Sequence, residues 1–244
     1  MIAQTRAELL KIRSTRTTLG LLLGLVALAL LFAVLTGLVS KSGDLAGEEH
    51  QRMLLANGTL AGVFAALAGI MLVTSEFRFG TIRPTLVVTP RRGRVIAAKL
   101  GAGALSGLVF GIVAEGLVFA IGVAILDGRG ITFALNGGEI ALLGVGTLAA
   151  TGLWGMFGVG LGAMIRSQVG AIIALLAWGF VVENLLFASV PSVGRFAPVH
   201  AEDALIGLTT RHLLSATAGG LALVGWSALF AIMGLVLTIR RDVI

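Results

Sequence analysis

Hydrophobic and polar positions alternate in this chain on the scale of whole segments. Six apolar runs, at 19–39, 54–73, 95–126, 140–165, 168–190 and 217–239, are separated by short polar stretches. A helix that crosses a bilayer needs roughly 20 apolar residues, and each run is of that order. The pattern predicts an all-α integral membrane protein with six transmembrane helices, forming a single transmembrane domain over 1–244. The first run is too long for the apolar core of a signal peptide and no small-x-small site follows it, so it is expected to stay as a helix.

The polar stretches carry the topology. Residues 1–18 set Arg6, Lys11, Arg13 and Arg16 against Glu8, with Ile2, Leu9 and Ile12 on one side of a helical wheel. This leader reads either as an interfacial helix on the inner leaflet or as a solvated basic segment. Residues 41–52 form a polar loop with Asp44, Glu48 and Glu49, and 127–139 a Gly-rich loop. Arg166-Ser167-Gln168 is a very tight turn. The longest connection, 191–216, holds a short apolar piece at 204–208 that cannot span, so it is expected to be re-entrant or interfacial. The strongest interruption is 74–94. Arg78, Arg83, Arg91, Arg92 and Arg94, followed by Lys99, face the single carboxylate Glu76. Within it, Thr89-Pro90 reads as an N-cap followed by proline at the first helical position, which starts the third helix before the membrane.

Charge orients the spans. With both termini inside, thirteen of the eighteen Lys and Arg lie on inner segments and seven of the twelve carboxylates on outer ones. The positive-inside rule then places both termini in the cytoplasm of a multi-pass cell-membrane protein. The net charge of +6 is accounted for by this asymmetry and does not point to nucleic acid. Only 12% of residues are charged and the mean hydropathy is +1.02, too apolar for a water-facing surface. The 35 glycines suit close helix packing in lipid. They form stripes: Gly58, Gly62, Ala65 and Gly69 in the second run, and Gly103, Gly107 and Gly111 in the third, continued by Glu115.

Candidate chemistry is sparse. There is no cysteine, hence no disulfide or thiolate site. No G-x-x-x-x-G-K-[ST] occurs, so the chain has no phosphate-binding loop of its own. The three histidines, His50, His200 and His212, lack metal-ligand spacing. Ser227 has no histidine after it, and an enzyme is not expected. Glu115, Glu183 and the adjacent Asn184 remain inside apolar runs. Ionisable groups there usually face protein or water and mark pathways. They read as part of a substrate path or a proton-linked pair; the alternative is a hydrogen-bonded packing role.

The segment Ser75-Glu76-Phe77-Arg78-Phe79-Gly80-Thr81-Ile82-Arg83, a spacer, Thr89-Pro90-Arg91-Arg92 and then Lys99 resembles the stretch between the second and third spans of ABC-2-type transporter permeases. The leader around Glu8, Lys11 and Arg13 resembles that family's N-terminal connecting helix. The resemblance implies a permease subunit that pairs with a second permease subunit, as a homo- or heterodimer, and docks separate P-loop ATPase subunits. ATP and Mg would be bound by that partner, with no cofactor on this chain. It also implies a short cytoplasmic coupling helix in 74–94, with Glu76, Arg78, Gly80, Thr81 and Arg83 as coupling residues. The expected function is ATP-driven export by alternating access at a dimer seam. The rivals are a proton- or ion-coupled carrier using Glu115 and a non-transporting membrane anchor of a complex.

Overall fold

The computed structural model describes residues 2–82, 84 and 91–240. The described residues are predominantly helical and contain no strand. Six helical stretches are long and apolar enough to cross a membrane: Arg16–Val39, Glu48–Arg78, Arg92–Gly128, Gly137–Ile165, Gln168–Ser189 and Ala216–Arg240. In chain order we label α1 Ile2–Ser14, α2 Arg16–Val39, α3 Ser42–Leu45, α4 Glu48–Leu55 and α5 Leu60–Arg78. They are followed by α6 Arg92–Gly128, α7 Gly137–Ile165, α8 Gln168–Ala177, α9 Glu183–Ser189 and α10 Pro191–Gly194. The last two are α11 Pro198–Leu205 and α12 Ala216–Arg240. A 3₁₀ turn, Ala56–Thr59, joins α4 to α5, and a π-helical turn, Trp178–Val182, joins α8 to α9.

The expected 41–52 loop is largely helical. Its polar residues are used inward: Gln51 is fully buried and bonds the Leu45 and Thr132 carbonyls and the Ala134 amide. Arg52 pairs with Glu139 at 2.6 Å. These bonds satisfy the backbone of the connection before α7, where loop carbonyls would otherwise be unpaired. Glu139 also closes a capping box with Asn136, which fixes where α7 starts. At its far end α7 stops at Arg166, whose left-handed backbone (φ 57°) reverses the chain. The Ser167 hydroxyl then caps α8 by accepting the Gly170 amide.

α7 is the hub of the bundle, packed against α5, α6 and α12. Its glycines permit this. A Cβ on Gly155 would sit against the Gly103 carbonyl of α6, and a Cβ on Gly103 would meet Gly155 in return. The backbones therefore touch where side chains normally intervene. Gly62 and Gly69 of α5 approach Trp154 and the Gly155 carbonyl of α7, so both glycine stripes face the same hub. Outward positions carry large apolar side chains such as Leu23, Leu31, Ile112, Ile173 and Leu221.

One further boundary differs from expectation, and another lies at the edge of the described residues. α6 begins at Arg92, flanked by Arg91; Thr89 and Pro90, the expected cap, lie outside the described residues. In the 191–216 connection the helices are α10 and α11; α11 begins with Pro198 at its first turn and takes in only Ala204 and Leu205 of the apolar piece 204–208. α11 lies along α12, where Gly219 lets the Ala201 carbonyl approach.

Candidate functional site

One end of the bundle gathers α1, the end of α5 and the start of α6. α1 is held there by Leu9 and Ile12, which pack against Leu72, Val73 and Ile96. It thus docks on the protein. Between these helices lies a buried cluster of charge. The Lys99 ammonium lies 2.8 Å from Glu8 Oε2 and 2.8 Å from Glu76 Oε1, and donates to the Leu72 carbonyl at 3.0 Å. Its hydrogen bonds go to Glu8 and the Leu72 carbonyl, and Glu76 adds an ion pair. Lys11 contacts Glu8 Oε1 and Glu76 Oε1, each at 2.8 Å. Two carboxylates and two ammonium groups form a closed, neutral ring joining three helices.

Such a ring forms because each charge would be costly alone. Removing an ion from water costs several kcal/mol even after relaxation, and only close pairing offsets it. Lys99 is fully buried and the Glu8 and Glu76 side chains are only 7% exposed. Lys11 sits at the rim. Burial pulls its ammonium down, but hydrogen bonds to Glu76 and Glu8 outweigh this and hold it above its ordinary 10.5. Beside the ring a cleft of about 620 Å³ opens between α1, α2 and α5. Ala68 and Met71 line it together with Lys11, Thr18, Glu76 and Arg78.

Beyond Glu76 the chain leaves the bundle. Arg78 is exposed, lies 5.5 Å over the Phe79 ring and donates to Gln168 at 3.3 Å. Glu76 therefore pairs with two lysines, and the expected Glu76–arginine contact does not form with Arg78. Gly80 adopts φ 70°, the left-handed conformation that favours glycine, and ends α5. Thr81 is exposed, and Ile82 and Pro84 again have helical backbone. Arg83 and most of the expected coupling helix lie outside the described residues.

The intramembrane candidates are separated. Glu115 continues the glycine stripe of α6 as expected, with its Oε2 against Gly58, and lines a shallow groove of about 330 Å³ with Ile112, Gly144 and Val145. Glu183 is fully buried elsewhere, where its Oε2 accepts the Val199 amide at 2.8 Å in the first turn of α11. A carboxylate there satisfies a free amide and complements the helix dipole. Asn184 points outward and donates to the Gly179 and Phe180 carbonyls, which the π turn frees. Glu115 and Glu183 line separate cavities.

Two groupings escaped sequence reasoning. The Glu8–Lys11–Glu76–Lys99 ring had a signal: Glu8 and Glu76 are scarce acids among basic residues, and Lys99 lies within an apolar helix. The second gathers around Glu183, where His200 stacks on Phe187 with ring centroids 4.1 Å apart and Trp154 donates to Glu202 at 2.8 Å. Nothing in linear spacing announces it. Compared with known proteins, the chain matches no family model and no curated sequence.

Proposed function

We propose that this chain is the permease subunit of an ATP-driven transporter of the ABC-2 type, working as an exporter with separate P-loop ATPase subunits and a second permease subunit. The observation that supports this most is the buried ring. It ties the two ends of the recognised motif, Glu76 and Lys99, to Glu8 of the leader. A force applied to the turn after α5 is then delivered to α1, α5 and α6 together, as a coupling segment requires. Arg78, Gly80 and Thr81 are exposed on that turn, where a soluble partner reaches them. The partner binds ATP and Mg; its closure pushes the coupling segments together and opens a path between the two permease subunits toward the outside. Both termini lie in the cytoplasm, since the basic residues gather at that end.

A proton-linked Glu115–Glu183 pair has less to support it, because the two side chains line separate cavities. Affinity purification of the tagged chain from its native membrane tests the proposal. A P-loop ATPase should copurify at equal stoichiometry and be lost when Arg78 and Thr81 are replaced by glutamate. Purification of the chain without an ATPase, with transport that collapses under an uncoupler and ignores ATP depletion, would overturn it.

A further inference from the structure

The end of the bundle away from the charged ring holds a cavity of about 170 Å³ between α7, α8, the π turn, α11 and α12. Its wall is aromatic: Trp154, Phe157, Trp178, Trp226 and Phe230. All three tryptophans of the chain are among them. Trp154 and Trp226 spend their indole N–H groups elsewhere, on Glu202 at 2.8 Å and on the Phe196 carbonyl at 2.7 Å. They therefore offer the cavity carbon and π surface. The rings are mutually braced, with centroids 5.2 Å apart for Trp154–Phe157 and 4.3 Å for Phe157–Phe230.

One ionisable side chain lines this cavity. Glu183 is fully buried, and while its Oε2 takes the Val199 amide, its Oε1 has no hydrogen-bond partner. No lysine, arginine or histidine is among the lining residues, and His200 Nδ1 lies 3.9 Å from the other oxygen, Oε2, behind the wall. A carboxylate oxygen left unpaired in apolar surroundings is costly, and a lone water there would find too few polar partners. The π turn contributes independently. It brings Trp178, Gly179 and Glu183 to the cavity while Asn184 turns outward, and such turns occur frequently at functional sites.

We propose that this cavity is a binding site for an organic ammonium group, held by the π surfaces of the tryptophans, with the buried Glu183 carboxyl behind the wall as its counter-charge. Aromatic walls attract cations through the ring quadrupole, most strongly when water is excluded. A cavity near this size elsewhere holds a benzene molecule, so the site takes a trimethylammonium or benzyl-ammonium head. Trp178, 42% exposed, stands where a tail would leave toward lipid. The ammonium comes either from a free hydrophobic amine or from a choline lipid headgroup. The site stands without the permease reading.

The test is built into the chain. With three tryptophans on this cavity and no tyrosine, intrinsic emission reports on the site alone. Benzyltrimethylammonium titrated into the purified full chain should give a saturable emission change that is unaltered in Glu115→Gln. Glu183→Gln keeps an acceptor for the Val199 amide but should weaken binding about tenfold or more, as expected when a buried cation loses its counter-charge. Trp178→Leu, at the mouth, should weaken it with unchanged melting temperature, even if Glu183→Gln folds poorly. Weaker binding in phosphatidylcholine than in phosphatidylglycerol nanodiscs would identify the lipid headgroup as a competing occupant; equal binding would assign the site to free amines. The proposal is overturned by an absence of saturable change in wild type. Equal binding of the neutral isostere neopentylbenzene, or full affinity in both cavity variants, would overturn it as well.

Discussion

Lys99 stands among apolar helices paired with both acids, and its removal leaves Glu8 and Glu76 facing Lys11 alone. Lys99→Met should therefore lower stability by about 3–5 kcal/mol, the usual cost of breaking a buried pair from one side. Thermal unfolding in detergent measures this. Lys11→Met should cost clearly less, because that side chain is half in solvent and its pairs are screened. Glu76→Ala is by the same logic a folding variant, not a clean probe of coupling. Glu202 of α11 behaves oppositely to a paired acid. Burial, aided by Asp203 and Glu183 and opposed by the Trp154 hydrogen bond, raises it to about 8. Between the ordinary 4.5 and about 8 the folded chain holds a proton that the unfolded chain has lost. Stability should fall as pH rises through that window and level off above it. Burial likewise raises Asp203, to about 6, adding to the lower part of the window. A Glu202→Gln variant should flatten the fall in melting temperature between pH 5 and 8.5, and an unchanged slope would contradict this.

At the scale of elements, α6 and α7 meet backbone to backbone. A Cβ on Gly155 would run into the Gly103 carbonyl, so Gly155→Val should cost about 1–3 kcal/mol or more through overpacking. Gly116, on the same helix as Gly103, faces open space. Gly116→Ala should be neutral or slightly stabilising, since alanine favours helix by up to about 1 kcal/mol. Melting temperatures of the two variants compare the seam with the lipid face. The turn after α5 is a different kind of glycine position. Gly80→Ala must place a Cβ at φ 70°, costing roughly 1–2 kcal/mol locally. Because the turn is exposed, the bundle should keep its melting temperature while, on the proposed function, ATP-driven transport falls in vesicles reconstituted with the proposed ATPase partner. Normal transport in this variant would count against the coupling role.

The whole molecule has no cysteine, so single introduced thiols map its orientation without background. Thr81→Cys should react with an impermeant maleimide only after cells are opened, and Asp44→Cys in intact cells. The reverse pattern would invert the topology. The number and order of spans were legible in the sequence because hydropathy is a long-range average that no single contact can overturn. Polar connections were less legible. Gln51 and Arg52 read as loop residues, since the carbonyls and carboxylate that bury them come from distant parts of the chain. The same holds for Glu76. Its neighbours in sequence are arginines, but its partners are lysines contributed by α1 and α6. Glu183 was placed correctly inside a span, while its partner amide on α11 could not be inferred from composition.

The charged ring also sets a timetable for making the protein. Its members emerge from the ribosome in the order Glu8 and Lys11, then Glu76, then Lys99. Before α6 is synthesised, Glu8 and Glu76 wait with Lys11 as their one partner within the ring. Lys99 then arrives on an apolar helix whose lone lysine would otherwise resist entry, by roughly 2.5–3.5 kcal/mol at full depth. Pairing with the waiting acids should lower that barrier, so that the insertion of α6 depends on α1. A nascent chain stripped of α1 should stall at this helix and become a substrate for membrane proteases.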